Sequence, residues 1–547
     1  MMKVHCLLAV MAVLAPACWS QSQAVSCANL KQLSTPELII TMASPVEAGM
    51  FTPNVEAGTS TRKPVPARVL AYCRVTGVLH PVVASNIGFE VWLPLPGAWN
   101  HKFEGVGNGA YAGRISYGPL ENAVNLGYAA ASTDTGHSGN ELNFIVGHPE
   151  RIDDWGYRAV HVTAQAAKKV IAAYYGAAPQ HAYFNGCSTG GSQALSEAQR
   201  FPEDYDGILA GDAGNDRVHL NVGFLWGWNA ARQAGQLILP DDKLTLLHQA
   251  ALKACHAEHD VILDPASCRF DPGVLLCKAG GTTECLTPQQ VEAAHKIYEG
   301  PYNPRTGESI IAGMIPGSEV IHNGGDYAGW KNFITDPVEP SRLDFWKLWV
   351  FENPQWDWHT FDYDRDVATG DRKMAAVNAG NPDLSAFRAR GGKLLMYHGW
   401  SDPVGPPGDA IHYYSQVEQR VGGAITVQSF FRLFMVPGMS HCNGGDGYQV
   451  AGGARGVDDP DGVPRWEPPD PEHDMLSALD RWVSQGTAPA SIIAFHTTGK
   501  SIDRTIPVCP YPQRAVWNGK TSPDEAGSYS CKASPAHEDA KTNTQSN

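Results

Sequence analysis

The sequence predicts an α/β fold, a mainly parallel sheet with helices on both faces, divided by one large inserted segment. Three observations carry this. Buried-strand patterns alternate with helical ones as far as YDGILAGDA, residues 205–213. The alternation stops after about Asp216 and resumes at GGKLLMYHGWSDP, residues 391–403. Gly186-Cys187-Ser188-Thr189-Gly190 stands where a strand gives way to a helix. Strands that alternate with helices pair in parallel and are covered on both sides.

Taken in order, FEVWLPLP and HKFEGVGNGAYAG read as a strand, a turn and a second strand entering a glycine-rich loop, and GYAAASTDTGHSG as another buried strand. DDWGYRAVHVTAQAAKKVIAAYYG has an aspartate at its start, apolar residues at helical spacing and Gly176 at its end, which marks a helix. HAYFNGCSTGGSQALSEAQRFP follows as strand, tight turn and helix, and YDGILAGDA as a short strand. Residues 21–215 thus form the first half of the core and 391–547 the second. Residues 216–390, with four cysteines and the aromatic run FWKLWVFENPQWDWHTFDY, form an inserted lid domain. No internal repeat is visible.

With 547 residues the chain exceeds the size at which one core stops growing, and 43% apolar against 18% charged residues is a globular composition. The net charge of -15, without a clustered basic excess, excludes a nucleic-acid footprint. MMKVHCLLAVMAVLAPACWS reads as a signal peptide over residues 1–20, cleaved after Ser20 or Ala24; acylation of Cys18 is the alternative. No later stretch is long and apolar enough to cross a bilayer, so the reading is a secreted or periplasmic protein. Removal of Cys6 and Cys18 leaves ten cysteines, an even number that favours disulfides in an exported chain, and no CxxC pair supports a zinc site.

A G-x-S-x-G string between strand and helix is the nucleophile elbow of the α/β-hydrolase fold. It makes Ser188 the candidate nucleophile. A serine hydroxyl needs a histidine base and an acid to hold that base, and in this fold both follow the serine, acid first. Asp402 after the strand KLLMY and His441 in SFFRLFMVPGMSHCNGG satisfy that order. Among 20 histidines His441 is best placed. His398, His137 and His359 read as structural or pocket-lining, and Asp134 as the end of its strand. The oxyanion would be held by the Thr189 amide and an amide of the Gly105–Gly109 loop, with Gly107 the candidate.

Cys187 and Cys442 each adjoin a candidate triad member, and a bridge between them would close a loop of about 250 residues. Two competing classes remain at this point: a serine peptidase or amidase on the same fold, and a non-catalytic protein holding an aromatic ligand.

The pattern Cys187-Ser188, Asp402, His441-Cys442, together with GVGNGAYAG, STDTGH and a cysteine-rich lid, resembles the tannase and feruloyl esterase family, which includes mono(2-hydroxyethyl) terephthalate hydrolase. The resemblance spans essentially the whole mature chain. It implies a serine carboxylic-ester hydrolase whose partner is a small aromatic ester: hydroxycinnamoyl, galloyl or a terephthalate half-ester. It also implies the disulfides Cys187–Cys442, Cys27–Cys73, Cys255–Cys268, Cys277–Cys285 and Cys509–Cys531. In the lid, Trp346, Trp349, Phe351, Trp356 and Trp358 are candidates to stack on the substrate ring. No cofactor is chemically required. The family lid usually holds calcium, for which Cys255–Cys268 offers Glu258, Asp260 and Asp264, a thin set for an ion that takes six to eight oxygens.

Overall fold

The structure, a computed structural model, describes residues 24–51, 67–111, 113–278, 284–453 and 469–533. The segment read as a signal peptide, residues 1–20, lies outside them.

Nine strands make the main sheet: β1 (Leu38–Val46), β2 (Tyr72–Leu79), β3 (Ile87–Pro94), β4 (Lys102–Val106), β5 (Ala129–Thr133), β6 (His181–Cys187), β7 (Gly207–Gly211), β8 (Lys393–Gly399) and β9 (Phe431–Val436). Their order is β1-β2-β3-β5-β4-β6-β7-β8-β9. All pairs from β5 to β9 are parallel, whereas β1, β2 and β3 pair antiparallel with one another and β3 with β5. The mainly parallel sheet is therefore an α/β-hydrolase sheet with an antiparallel flank. The link from β2 to β3 is too short to carry a helical crossover and can only return the chain antiparallel.

Alternate residues along each central strand feed opposite faces. Ile208 and Leu394 enter one apolar cluster, and Leu209 and Leu395 enter the other. On the first face lie α2 (Ala159–Tyr175) and α3 (Thr189–Arg200), and on the second α1 (Tyr117–Asn125). The α2 helix ends at Gly176 in the left-handed conformation, φ 72°, as its sequence predicts. Its start differs: helical turns already begin at Glu150, and Asp154 is not a cap. That carboxylate instead takes the Ser85 hydroxyl and the Arg158 guanidinium at 2.7 and 2.8 Å.

Residues 212–392 lie between β7 and β8, which are hydrogen-bonded neighbours, and supply none of the nine strands. They carry α4 (Arg217–Ala230), α5 (Asp241–Ala254) and α6 (Pro288–Glu299), with an apolar cluster of their own around Leu244, Leu247, Ala294 and Trp330. The chain then returns through β8, α7 (Pro407–Val421), β9 and α8 (Met475–Gln485), the last covering the second face with Leu476, Leu479 and Trp482.

Among the described residues five disulfides are present, and all five pairings are those the resemblance implies. Among the described residues no helix is long and apolar enough to cross a membrane.

Candidate active site

Ser188 sits on the turn between β6 and α3 with φ 63° and ψ -120°, a backbone that costs a non-glycine residue about 1–3 kcal/mol. The turn is possible because its flanks are glycine: a Cβ on Gly186 would lie 2.3 Å from the Gly190 carbonyl oxygen. The Ser188 amide is fixed on Gly211 O at 2.9 Å, and the side chain is half-buried at the carboxyl end of the sheet.

His441, in the loop after β9, places Nε2 2.8 Å from Ser188 Oγ. Its Nδ1 lies 2.8 Å from Asp402 Oδ2, in the loop after β8. Asp402 is fully buried, and its other oxygen accepts the amides of Val404 and Gly405 at 2.7 and 3.1 Å. Burial pushes this carboxyl up, but His441, His398 and the Val404 amide outweigh it and hold it below the usual carboxylate range. An ionised acid behind Nδ1 fixes the tautomer that leaves Nε2 free to accept the serine proton.

The Cys187–Cys442 disulfide joins the residue before Ser188 to the residue after His441 across a sequence separation of 255. Cys442 has φ 70°, so the histidine loop is bent sharply at the bridge.

A second buried carboxyl, Asp212, escaped the sequence reading. It directly follows β7, is fully buried, and accepts the Gly399 amide at 2.8 Å and the Cys442 amide at 3.2 Å. It lies within 4.8 Å of both Asp402 and His441. Burial and the adjoining Asp402 charge hold its carboxyl well above the usual range. Removing it as Asp212→Ala leaves two buried amides without acceptors, at about 1–3 kcal/mol each. We expect a lower melting temperature and a kcat reduced about 100-fold, with Asp212→Asn, which keeps one acceptor oxygen, markedly milder in both. Thermal melts and turnover on a phenyl ester check this.

A family model for tannase and feruloyl esterase matches residues 73–532. The chain belongs to the tannase and feruloyl esterase family. An uncharacterized esterase of Xanthomonas campestris is 38% identical over 94% of this chain and 92% of its own. A probable feruloyl esterase B-1 of Aspergillus flavus is 30% identical over 84% and 86%. The crystal structure of feruloyl esterase B from Aspergillus oryzae superposes with a TM-score of 0.83 at 25% identity, covering 93% of this chain and all of the other. The enzyme is a carboxylic ester hydrolase with an α/β-hydrolase fold.

Within this tannase-family esterase the other sequence-predicted residues fall as follows. The Thr189 amide begins α3 beside Ser188 and is not spent inside the helix, as an oxyanion donor requires. Gly107 is a correction, because its amide donates to Asn185 O at 2.9 Å within the β4–β6 ladder. It is a glycine for packing, since a Cβ there would meet Gly190 Cα at 2.6 Å. The Asn108 amide is likewise taken by Gln193 Oε1 at 3.0 Å. Among the described residues the Gly109 amide is the one in this loop with no partner, and a Cβ built there would meet open space.

Trp346, Trp349 and Trp358 are a second correction. Trp346 and Trp349 are each 1% exposed, packed in an apolar cluster with Phe345, Tyr111 and Trp155, and offer no face to a ligand at the serine. Trp349 borders a cavity of about 480 Å³ that no triad residue lines. Phe351 and Trp356 stack on each other at 4.5 Å. Trp358 packs on Trp228, eleven residues along α4 from Arg217, which touches Thr189; at 1.5 Å per residue that is roughly 16 Å away. The side chains at the triad are others. Tyr327 stands edge-on to the His441 ring at 5.3 Å, and Val404 belongs to an apolar cluster with Leu220, Phe224 and Ile311.

The calcium donors do not fit such an ion. Asp264 faces the Arg514 guanidinium at 3.3 Å, and His259 pairs with Asp524 at 3.2 Å. Among the described residues, no group of three or more closely placed donors includes Glu258, Asp260 or Asp264.

His398 is buried and structural: its ring nitrogen Nε2 bonds Gly405 O at 2.9 Å, and burial holds its pKa below the usual histidine value. His137 bonds Tyr111 O and stacks on Phe144, while His359 is an exposed partner of Asp357. Asp134 accepts the amides of Gly88 and Gly136, closing the turn after β5.

Proposed function

We propose that the chain hydrolyses esters of aromatic acids by two-step acyl transfer, with Ser188 as nucleophile, His441 as general base and Asp402 orienting the histidine. The observation that carries this reading is the continuous chain of 2.8 Å contacts from Ser188 Oγ through His441 to Asp402, on a strained strand-to-helix turn. Ser188 Oγ attacks the ester carbonyl as its proton passes to His441 Nε2. The carbonyl oxygen becomes an anion held by the amides of Thr189 and Gly109. Collapse of this tetrahedral state breaks the bond to the alkoxy oxygen, which leaves as the alcohol with the proton from His441. Water then repeats the sequence on the acyl-enzyme, His441 taking its proton, and the acid is released with Ser188 restored.

The segment 216–390 acts as the lid, and the acyl group rests against Tyr327, which is partly buried beside His441 and backed by the apolar cluster of Leu220, Phe224, Ile311 and Val404, a wall suited to a planar ring. Five disulfides support export to an oxidising compartment. The test is a panel of methyl ferulate, methyl gallate, chlorogenate, mono(2-hydroxyethyl) terephthalate and ethyl acetate. The reading expects kcat/KM on at least one aromatic ester about 100-fold above ethyl acetate, since ring burial and stacking contribute on the order of 2–3 kcal/mol. Equal rates on all five would refute an aromatic acyl pocket.

A further inference from the structure

Arg217, the first residue of α4, is 2% exposed, yet among the described residues it has no carboxylate partner. Its guanidinium carbon sits 5.3 Å from the ring centres of both Tyr111 and Trp155, and its Nε has no hydrogen-bond partner. Burial pulls its pKa down, and the Arg342 cation lowers it further. A buried charge left without a counter-ion is costly and calls for a reason.

The reason lies at its other end. Arg217 Nη2 donates to Thr189 Oγ1 at 3.0 Å, and the same hydroxyl donates to Ala110 O at 2.5 Å. On the acyl-transfer reading, Thr189 and the Gly109–Ala110 segment are the two pieces of backbone that supply the oxyanion amides. Ala110 itself is held at φ 53°, so its peptide needs an external restraint. The bridge runs from the inserted segment to both amide donors at once.

We propose that Arg217 is a positioning residue of the oxyanion site: it locks the Thr189 and Gly109 amides together, and its uncompensated charge is answered only when the tetrahedral oxyanion forms. The inference rests on the serine acyl-transfer reading above. A cation of this kind favours the transition state over the neutral ester, because no negative charge is present until the carbonyl is attacked. The two flanking rings keep the guanidinium in place without neutralising it. In the absence of substrate the site therefore holds a standing positive potential.

The test compares Arg217→Lys, Arg217→Gln and Arg217→Met on one phenyl ester, together with inhibition by an aryl trifluoromethyl ketone, which forms an oxyanion on the serine. We expect kcat to fall about 100-fold or more in Met and Gln and about ten-fold or less in Lys, with KM changed less than about three-fold. The inhibition constant of the ketone should rise in proportion to the loss in kcat/KM, while binding of the corresponding neutral aromatic amide, which carries no negative charge, stays the same. A Gln variant equal to Lys, or a loss confined to KM, would overturn the electrostatic role. Should Arg217→Met fail to fold, Thr189→Val decides, since it keeps the amide and cuts the bridge: a kcat within two-fold of native overturns the proposal, and a fall of about ten-fold supports it. Ser188→Ala, measured alongside, keeps the two readings apart. If it remains active the acyl-transfer reading fails, and if it is inactive while Arg217→Met turns over normally only the role of Arg217 fails.

Discussion

Ser188→Ala and His441→Ala should each lower kcat by about 10⁵- to 10⁶-fold with the fold retained, and the double variant should be little worse than either. On the proposed mechanism the two side chains act as one unit, with the 2.8 Å contact between Oγ and Nε2 as the path of the proton. Ser188 is half-buried and His441 lies in a loop braced by the disulfide, so neither truncation opens a cavity in the sheet core. Asp402→Asn should cost less, about 10⁴-fold, because the imidazole stays nearby in the wrong tautomer. Near-native turnover in a pure Ser188→Ala preparation would contradict the assignment outright.

The Cys187→Ala, Cys442→Ala variant should lose both stability and rate. Closing a loop of 255 residues is worth about 5 kcal/mol on the chain-entropy account, a figure that native-state strain reduces. The bridge also holds nucleophile and base in register, and acyl transfer tolerates little misplacement. A clearly lower melting temperature is expected, and at temperatures where the variant is still folded a kcat reduced about ten-fold or more. Unchanged kcat in the folded variant would reduce the bridge to a purely stabilising role.

What the sequence disclosed and what it hid follow from the range of the interactions involved. The elbow at Ser188 is local, written in two glycines whose necessity is explained by the 2.3 Å that a Cβ on Gly186 would leave to the Gly190 carbonyl oxygen. Asp402 and His441 were legible because chain order and the ends of apolar strands locate them. The pairing of ten cysteines was not legible from spacing, and came only through family resemblance. Gly107 was misassigned because the fate of its amide depends on the register of β4 against β6, which no local pattern states. The tryptophans of the insertion were misread for a related reason: an aromatic run gives no sign of which rings a segment keeps for its own core. Asp212 had a signal, an aspartate directly after an apolar strand, but its meaning requires knowing that β7 lies beside β8 and that Cys442 returns to it. Arg217 had none, since a basic residue at a helix start is ordinary until its partners are seen.

The central claim is that Ser188 is the activated nucleophile of this esterase, and its most direct test is labelling with a fluorophosphonate followed by mass spectrometry of the tryptic digest after reduction. The account predicts one adduct per chain, on Ser188 within the peptide spanning residues 170–200, and slow or absent labelling in His441→Ala. An adduct on any other residue, or full turnover in protein quantitatively labelled at Ser188, would contradict it.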